Sequence, residues 1–237
     1  MGWPSSLIRV LERRLIRENR PAFQSFLEPQ QLALSQAGGH RLVRMVMEEN
    51  PTWVCCKVDM ENAHSSMSRA ATLETLKVQT DFRHMAWYFG TSMAAASTLE
   101  SGGKVWGELG DGLVQGKPSS MAFFCTGFQP ELVEVNTEVR EEEEGLARAG
   151  ADDLYVMGPP EGAYPALARF KTKIRARLSL KLHMEKTEVY CEGDLFACTP
   201  PDLPRAGVIL EGQLFPGMEV YRVAVGHQRY MGHWLEG

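Results

Sequence analysis

The residues best suited to chemistry are two neighbouring acids, Asp152 and Asp153, in the stretch Ala151-Asp152-Asp153. They stand between a possible strand, Leu146 to Gly150, and a stronger one, Leu154 to Gly158. The sequence therefore predicts a hairpin with carboxylates at its turn. Such groups are costly to bury on an apolar hairpin without a partner or a metal. The plain alternative is a solvated turn in which aspartate is merely a favoured residue. A third acid shifts the balance. Asp59 closes the apolar run Trp53-Val54-Cys55-Cys56-Lys57-Val58, which also reads as a strand, and Met60-Glu61-Asn62-Ala63 follows. Two strands carrying carboxylates, laid side by side, could hold divalent metal between them. Hard ions such as Mg2+ prefer a few carboxylates plus substrate phosphates.

Other elements must hold these strands in place. Leu7, Ile8, Leu11, Leu15 and Ile16 recur at helical spacing as far as about Arg17, and Arg20-Pro21 interrupts that helix. Leu27-Glu28-Pro29-Gln30-Gln31 is a break, and Gly38-Gly39 precedes a helix over His40 to Glu49. Ser68 suits the cap of a helix over Arg69 to Val78, and Asp81 that of another through Met85 and Tyr88. Ser101-Gly102-Gly103 reads as a hairpin tip between Met93 to Leu99 and Lys104 to Leu109. Pro118 suits the first turn of a long helix. Met121, Phe123, Phe124, Phe128, Leu132 and Val135 make that helix's buried side, and a glutamate run its solvent end. Tyr164 to Leu178 is an amphipathic helix, Leu180 to Met184 alternates like a strand, and Glu185 to Tyr190 follows and leads to a second short strand. Pro200, Pro201 and Pro204 mark a loop, and Gly217 to Gly226 is strand-like.

The composition is that of a soluble globular domain: 237 residues, 44% apolar and 23% charged. No apolar run approaches the roughly 18 residues of a spanning helix, so no membrane partner is expected. The start, Met1-Gly2-Trp3-Pro4-Ser5-Ser6, formally fits a myristoylation pattern, but Trp3 and Pro4 argue for a chance match. The interspersed Arg and Glu that follow do not form a signal peptide. All five cysteines read as reduced thiols, with zinc at Cys191, Cys198 and His183 the weaker alternative, which sets the chain inside the cell, in nucleus or cytoplasm. A net charge of −5 argues mildly against nucleic acid. That charge is unevenly spread, however. Glu131, Glu134, Glu138 and Glu141 to Glu144 are acidic, whereas Arg169, Lys171, Lys173, Arg175, Arg177, Lys181 and Lys186 form a basic stripe. Runs of this kind are commonly solvated helix faces.

Taken in order, these pieces resemble the successive palm motifs of reverse transcriptases. The motifs are strand-Asp59 with Asn62-Ala63, Gln115-Gly116-x-Pro118 opening a helix, Ala151-Asp152-Asp153 on a hairpin, and Leu182 through Lys186-Thr187-Glu188. The likeness is to the non-LTR retrotransposon and group II intron type and covers residues 27 to 226. Leu27-x-Pro29-x-Gln31 and Gly38-Gly39 look like the preceding finger segment, and Val223-Ala224-Val225-Gly226 like a primer-grip hairpin. The resemblance implies an α+β fold: an antiparallel palm sheet backed by helices, a partial and mainly helical fingers region, and no thumb. The implied divisions are 1–52 partial fingers, 53–192 palm and 193–237 a primer-grip-like tail.

The implied activity is RNA-directed DNA polymerisation, with an RNA template, a DNA primer and dNTP as partners. Asp59 and Asp152 would bind two Mg2+ ions (Mn2+ being a possible substitute), with Asp153 as outer support. His64, Gln115 and Gly116 would line the nucleotide pocket. Lys186 looks like the lysine that protonates or neutralises leaving pyrophosphate, its plain alternative being a surface partner of Glu188. Several positions depart from the family pattern. His64 stands where Phe or Tyr excludes a ribose 2′ hydroxyl, and Gly150 replaces the aromatic before Ala-Asp-Asp, which should loosen the hairpin. Lys117 replaces the aspartate of Gly-Asp-Pro. The upstream finger strands that bring a triphosphate-clamping arginine are not recognisable, and nothing after Gly226 is long enough for a thumb. The expected identity is a partial or decayed retroelement copy. Its alternatives are an inactive nucleic-acid-binding remnant that uses the basic stripe, and a fold relic with no partner.

Overall fold

In the computed structural model, which describes residues 5–34, 38–94, 97–101, 104–109, 111–114 and 116–236, two helices come first. They are α1 (Ser5–Glu18) and α2 (Arg20–Leu27). Pro21 sits in the opening turn of α2, where a missing N–H costs nothing. After a turn through Pro29, α3 (Gly39–Glu49) leads into β1 (Val54–Val58). A single-turn helix, α4 (Ala63–Ser66), precedes α5 (Arg69–Val78). Ser68 caps α5 as expected, accepting from the Ala71 N–H at 3.2 Å. Asp81 caps nothing. It lies inside a 3-10 turn (Thr80–Phe82) that runs on into α6 (Arg83–Ala94). Phe82 drives this continuation, because its buried ring stacks on Phe23 with centroids 4.7 Å apart.

A hairpin forms from β2 (Ser97–Ser101) and β3 (Lys104–Leu109), but Met93 and Ala94, expected in its first strand, belong to α6; its tip residues Gly102 and Gly103 lie outside the described residues. The long helix is α7 (Ser120–Glu143), with Ser119 as its cap. Pro118 therefore precedes the cap rather than occupying the first turn. The chain continues through β4 (Leu146–Gly150), β5 (Asp153–Gly158), α8 (Pro160–Leu178) and β6 (Glu188–Tyr190). Leu180 to Met184 is not a strand: within it only Leu182 forms a bridge, to Met60. The reason is that β6 occupies that edge of β1, so this segment pairs with Asp59 to Glu61, past the end of the strand. The last elements are β7 (Gly207–Leu210), β8 (Gln213–Val220), β9 (Val223–Gly226) and α9 (Gln228–Glu236).

Strand alternation sorts the core into two layers. The main sheet is antiparallel throughout, in the order β4-β5-β1-β6. Val54, Cys56, Val58, Leu154 and Val156 point to one face and pack with Phe124, Phe128 and Phe170 of α7 and α8. Cys55, Tyr155, Met157 and Tyr190 point to the other and meet α3 and the β7–β8–β9 sheet. The result is the α+β arrangement expected: an antiparallel sheet backed by helices. Among the described residues no helix is long and apolar enough to cross a membrane.

The two charge runs pair in part across α7 and α8, while Lys171, Arg175, Lys181, Lys186 and Glu141 stay exposed to water. Arg177 pairs with Glu131 at 2.9 Å, Lys173 with Glu134 at 2.7 Å, and Arg169 with Glu138 at 2.9 Å, all between α8 and α7. Glu131 lies inside, not at a solvent end, with its side chain only 3% exposed. Burial pushes its carboxyl up, and Arg177 opposes the shift. Met121, by contrast, is 37% exposed and is not part of the buried side of α7.

Candidate functional site

Strand register brings the sequence-predicted acids to one corner of the sheet. Antiparallel pairing of β1 with β5 runs from Val54 opposite Gly158 to Val58 opposite Leu154. One step further sets Asp59 across from Asp153. The last pair of the β4–β5 hairpin, Gly150 with Asp153, leaves a two-residue turn of Ala151 and Asp152. Only the first of these has a positive φ, +64°, the pattern of a II′-like turn in which glycine is the usual first residue. An alanine there costs roughly 1–2 kcal/mol.

The acids sense one another. Burial raises the Asp153 carboxyl above its ordinary range, Asp152 and Asp59 raise it further, and Lys57 opposes them. A folded carboxyl that resists ionisation works against the fold once pH passes the ordinary aspartate range, about 3.9. Any stabilisation from keeping its proton is full below that range and is lost as pH rises through the raised folded value. Asp153→Asn is therefore expected to raise the Tm of metal-free protein at pH 7. Near pH 3 it should leave Tm almost unchanged. Thermal melts in chelator at the two pH values check this.

Asp153 also lines a cavity of about 430 Å3 with Lys57, Tyr155, Glu219, Tyr221 and Arg222. Lys57 donates to Glu188 Oε1 at 3.2 Å. Glu188 is thus the partner of Lys57 rather than of Lys186. Lys186 Nζ instead lies 4.0 Å from Asp59 Oδ2, with its side chain 66% exposed. His64, on α4, is half-buried against Phe124, with ring centroids 4.7 Å apart. Burial lowers its pKa, favouring the neutral imidazole, and the nearby Asp152 charge opposes the shift. Gly116 is exposed, adopts φ +82°, and has no atom within 4 Å of where a Cβ would sit. That conformation explains the glycine, and the open space leaves room beside the backbone. Gln115 lies outside the described residues.

Gly150 does not loosen the hairpin. A Cβ there would lie 2.2 Å from Tyr221 Cε1 and 2.4 Å from its hydroxyl oxygen. Tyr221 opens the β8–β9 turn with φ +51°, followed by Arg222 at +63°. Its ring sits between Gly150 and Gly39, where a Cβ would come 2.2 Å from Cε2, and it packs on Tyr155 with centroids 5.3 Å apart. An aromatic from a distant hairpin thus fills the space at Gly150. Sequence reasoning missed Tyr221, and its only signal was a glycine where a bulky residue was expected.

The donor set suits a hard divalent ion, since Asp59 and the Asp152-Asp153 turn bring carboxylates to adjacent ends of neighbouring strands. Among the described residues no three His, Cys, Asp or Glu side chains are already arranged to hold a metal. The acids therefore adjoin without forming a closed cage. Mg2+ needs none, because it commonly takes one or two carboxylates and completes its octahedron with water and substrate phosphates.

An antiparallel sheet backed by two helices, with acids at a strand end and on the adjacent hairpin turn, is an arrangement with solved counterparts. Telomerase structures share it. The telomerase of Candida albicans, solved with a TWJ fragment of telomeric RNA, aligns over 95% of this chain with a TM-score of 0.59 and 12% identity. The apo telomerase of Candida tropicalis aligns over 94% with a TM-score of 0.57, also at 12% identity. This chain spans 37% and 39% of those two chains, respectively. No protein-family model matches the sequence, and no curated protein does.

Proposed function

We propose that this chain is an RNA-directed DNA polymerase domain that adds nucleotides to a primer 3′ end. The observation that carries the reading is the meeting of Asp59 with the Asp152-Asp153 turn on neighbouring strands. Asp59 and Asp152 would hold two Mg2+ ions, or Mn2+ in their stead, with Asp153 as outer support. Bound there, such a pair stabilises the entering and leaving oxygens of an in-line displacement at phosphorus. Lys186, exposed beside Asp59, would neutralise or protonate the departing pyrophosphate. His64 and the open backbone at Gly116 would border the incoming dNTP, together with Gln115. The half-buried imidazole of His64 is smaller than the Phe or Tyr of the resemblance, so discrimination against ribose is expected to be relaxed.

An RNA template and a DNA primer are the proposed partners, and the telomerase solved with telomeric RNA supports a nucleic-acid partner in general terms. Residues 1–52 would act as partial fingers, 53–192 as palm and 193–237 as a primer-grip-like tail. Origin in a retroelement of the non-LTR or group II intron type is supported by the order of the motifs. A remnant binding nucleic acid through the basic stripe is the second reading: glutamates of α7 engage Arg169, Lys173 and Arg177, whereas Lys171, Arg175, Lys181 and Lys186 are exposed. The test is extension of a DNA primer on an RNA template with Mg2+ and then Mn2+. The reading expects incorporation of dNTP that chelator abolishes. Absence of extension with either metal would contradict it.

A further inference from the structure

The turn that carries Asp152 does not support itself. A two-residue hairpin loop leaves the N–H and C=O of its first residue outside the strand ladder, and Ala151 is only 6% exposed. Both groups meet the same side chain, 120 residues away in sequence. Gln31 Oε1 accepts from the Ala151 N–H at 2.8 Å, and Gln31 Nε2 donates to the Ala151 C=O at 3.1 Å. A primary amide places a donor and an acceptor side by side on one plane. A carboxylate lacks the donor.

Gln31 is itself fixed. It is fully buried, and its N–H donates to Leu27 O at 2.8 Å. The flanking backbone adds to the outer edge of β4: Leu32 N–H donates to Ala149 O at 2.7 Å, and Ala149 N–H to Gln30 O at 2.8 Å. The amide therefore reaches the turn from a rigid base.

We infer that Gln31 is a positioning residue for the Asp152-Asp153 pair, holding the Ala151 turn in the one conformation that aims both acids at metal and substrate. The inference rests on the proposed polymerase reading of those acids. Removing the amide orphans two buried backbone groups at a residue already held at positive φ. The turn then relaxes toward an arrangement that pairs them elsewhere, and the backbone of Asp152 moves with it.

The test uses Gln31→Met, which keeps length but removes both hydrogen bonds, and Gln31→Asn, which keeps the amide on a shorter stem. Each is read by hydrogen exchange at the Ala151 amide, by Mn2+ affinity from water-proton relaxation, and by Tm. Gln31→Met is expected to speed Ala151 exchange and to weaken Mn2+ binding about 10–100-fold, the usual cost of losing a group that orients a metal ligand. Adding Ala151→Gly, which relieves the positive φ, should restore much of that affinity. A filler role in the core would lower Tm without moving Mn2+ affinity, and Ala151→Gly would rescue nothing. If Gln31→Met does not fold, the same comparison is made with Gln31→Leu, which also removes both hydrogen bonds. Equal Mn2+ affinity in folded variant and wild type overturns the positioning role alone. No Mn2+ binding by the wild type overturns the reading of the acids, and the positioning role with it.

Discussion

Asp152→Asn is expected to cut metal-dependent primer extension about 10³-fold or more, as is Asp59→Asn. Metal ions that stabilise developing charge contribute several kcal/mol to a phosphoryl-transfer barrier, and each 1.4 kcal/mol is tenfold in rate. The amide keeps the shape of the side chain and loses the anionic oxygen, so the effect reads the charge alone. Asp153→Asn should cost much less activity, because Asp153 already resists ionisation beside its two neighbours. Lys186→Ala should slow turnover while leaving dNTP binding nearly intact, since its ammonium lies at the rim of the site. Steady-state extension assays separate these cases. Equal losses at all four positions would point to a common folding defect instead.

The second large effect is on stability. Gly150→Ala drives a methyl into the Tyr221 ring, with both Cε1 and the hydroxyl oxygen within 2.4 Å. Overpacking of this severity costs up to about 3 kcal/mol, or roughly 6–12 °C in Tm for a chain of this size. Tyr221→Ala removes the obstacle, at the cost of its own lost packing on Tyr155. In the double variant, Gly150→Ala should therefore add little further loss. That coupling is measured by a double-mutant cycle. Strict additivity of the two single losses would show that ring and glycine are not in contact in solution.

What could be read in advance follows from how locally each feature is encoded. Apolar runs in Val54 to Val58 and in Leu154 to Gly158, with a turn between β4 and β5, exposed the two acid-bearing strands. Ser68 announced a helix cap by type and position alone. The opposite case is Gln31, a common residue whose importance comes from an amide reaching across 120 positions. Nothing near it in the chain marks that contact. Tyr221 is similar, because its ring matters only through the space left by Gly150 and Gly39. The two charge runs looked solvated because each was amphipathic by itself. Their pairing follows from α7 packing against α8, with Glu131, Glu134 and Glu138 rising along one helix as Arg177, Lys173 and Arg169 descend the other. At Asp81 the local capping preference lost to burial of the Phe82 ring on Phe23. At Leu180 to Met184, alternation was present but the edge of β1 was taken.

The central claim is that Asp59 and the Asp152-Asp153 turn share a pair of cations, and electron paramagnetic resonance with Mn2+ tests it most directly. Two ions about 3.5–4 Å apart are magnetically coupled, unlike ions bound singly at separate sites. With primer, template and dNTP present, wild-type protein is predicted to give the coupled-pair spectrum, and both Asp59→Ala and Asp152→Ala to abolish it. Uncoupled Mn2+ signals that neither substitution alters would contradict the account.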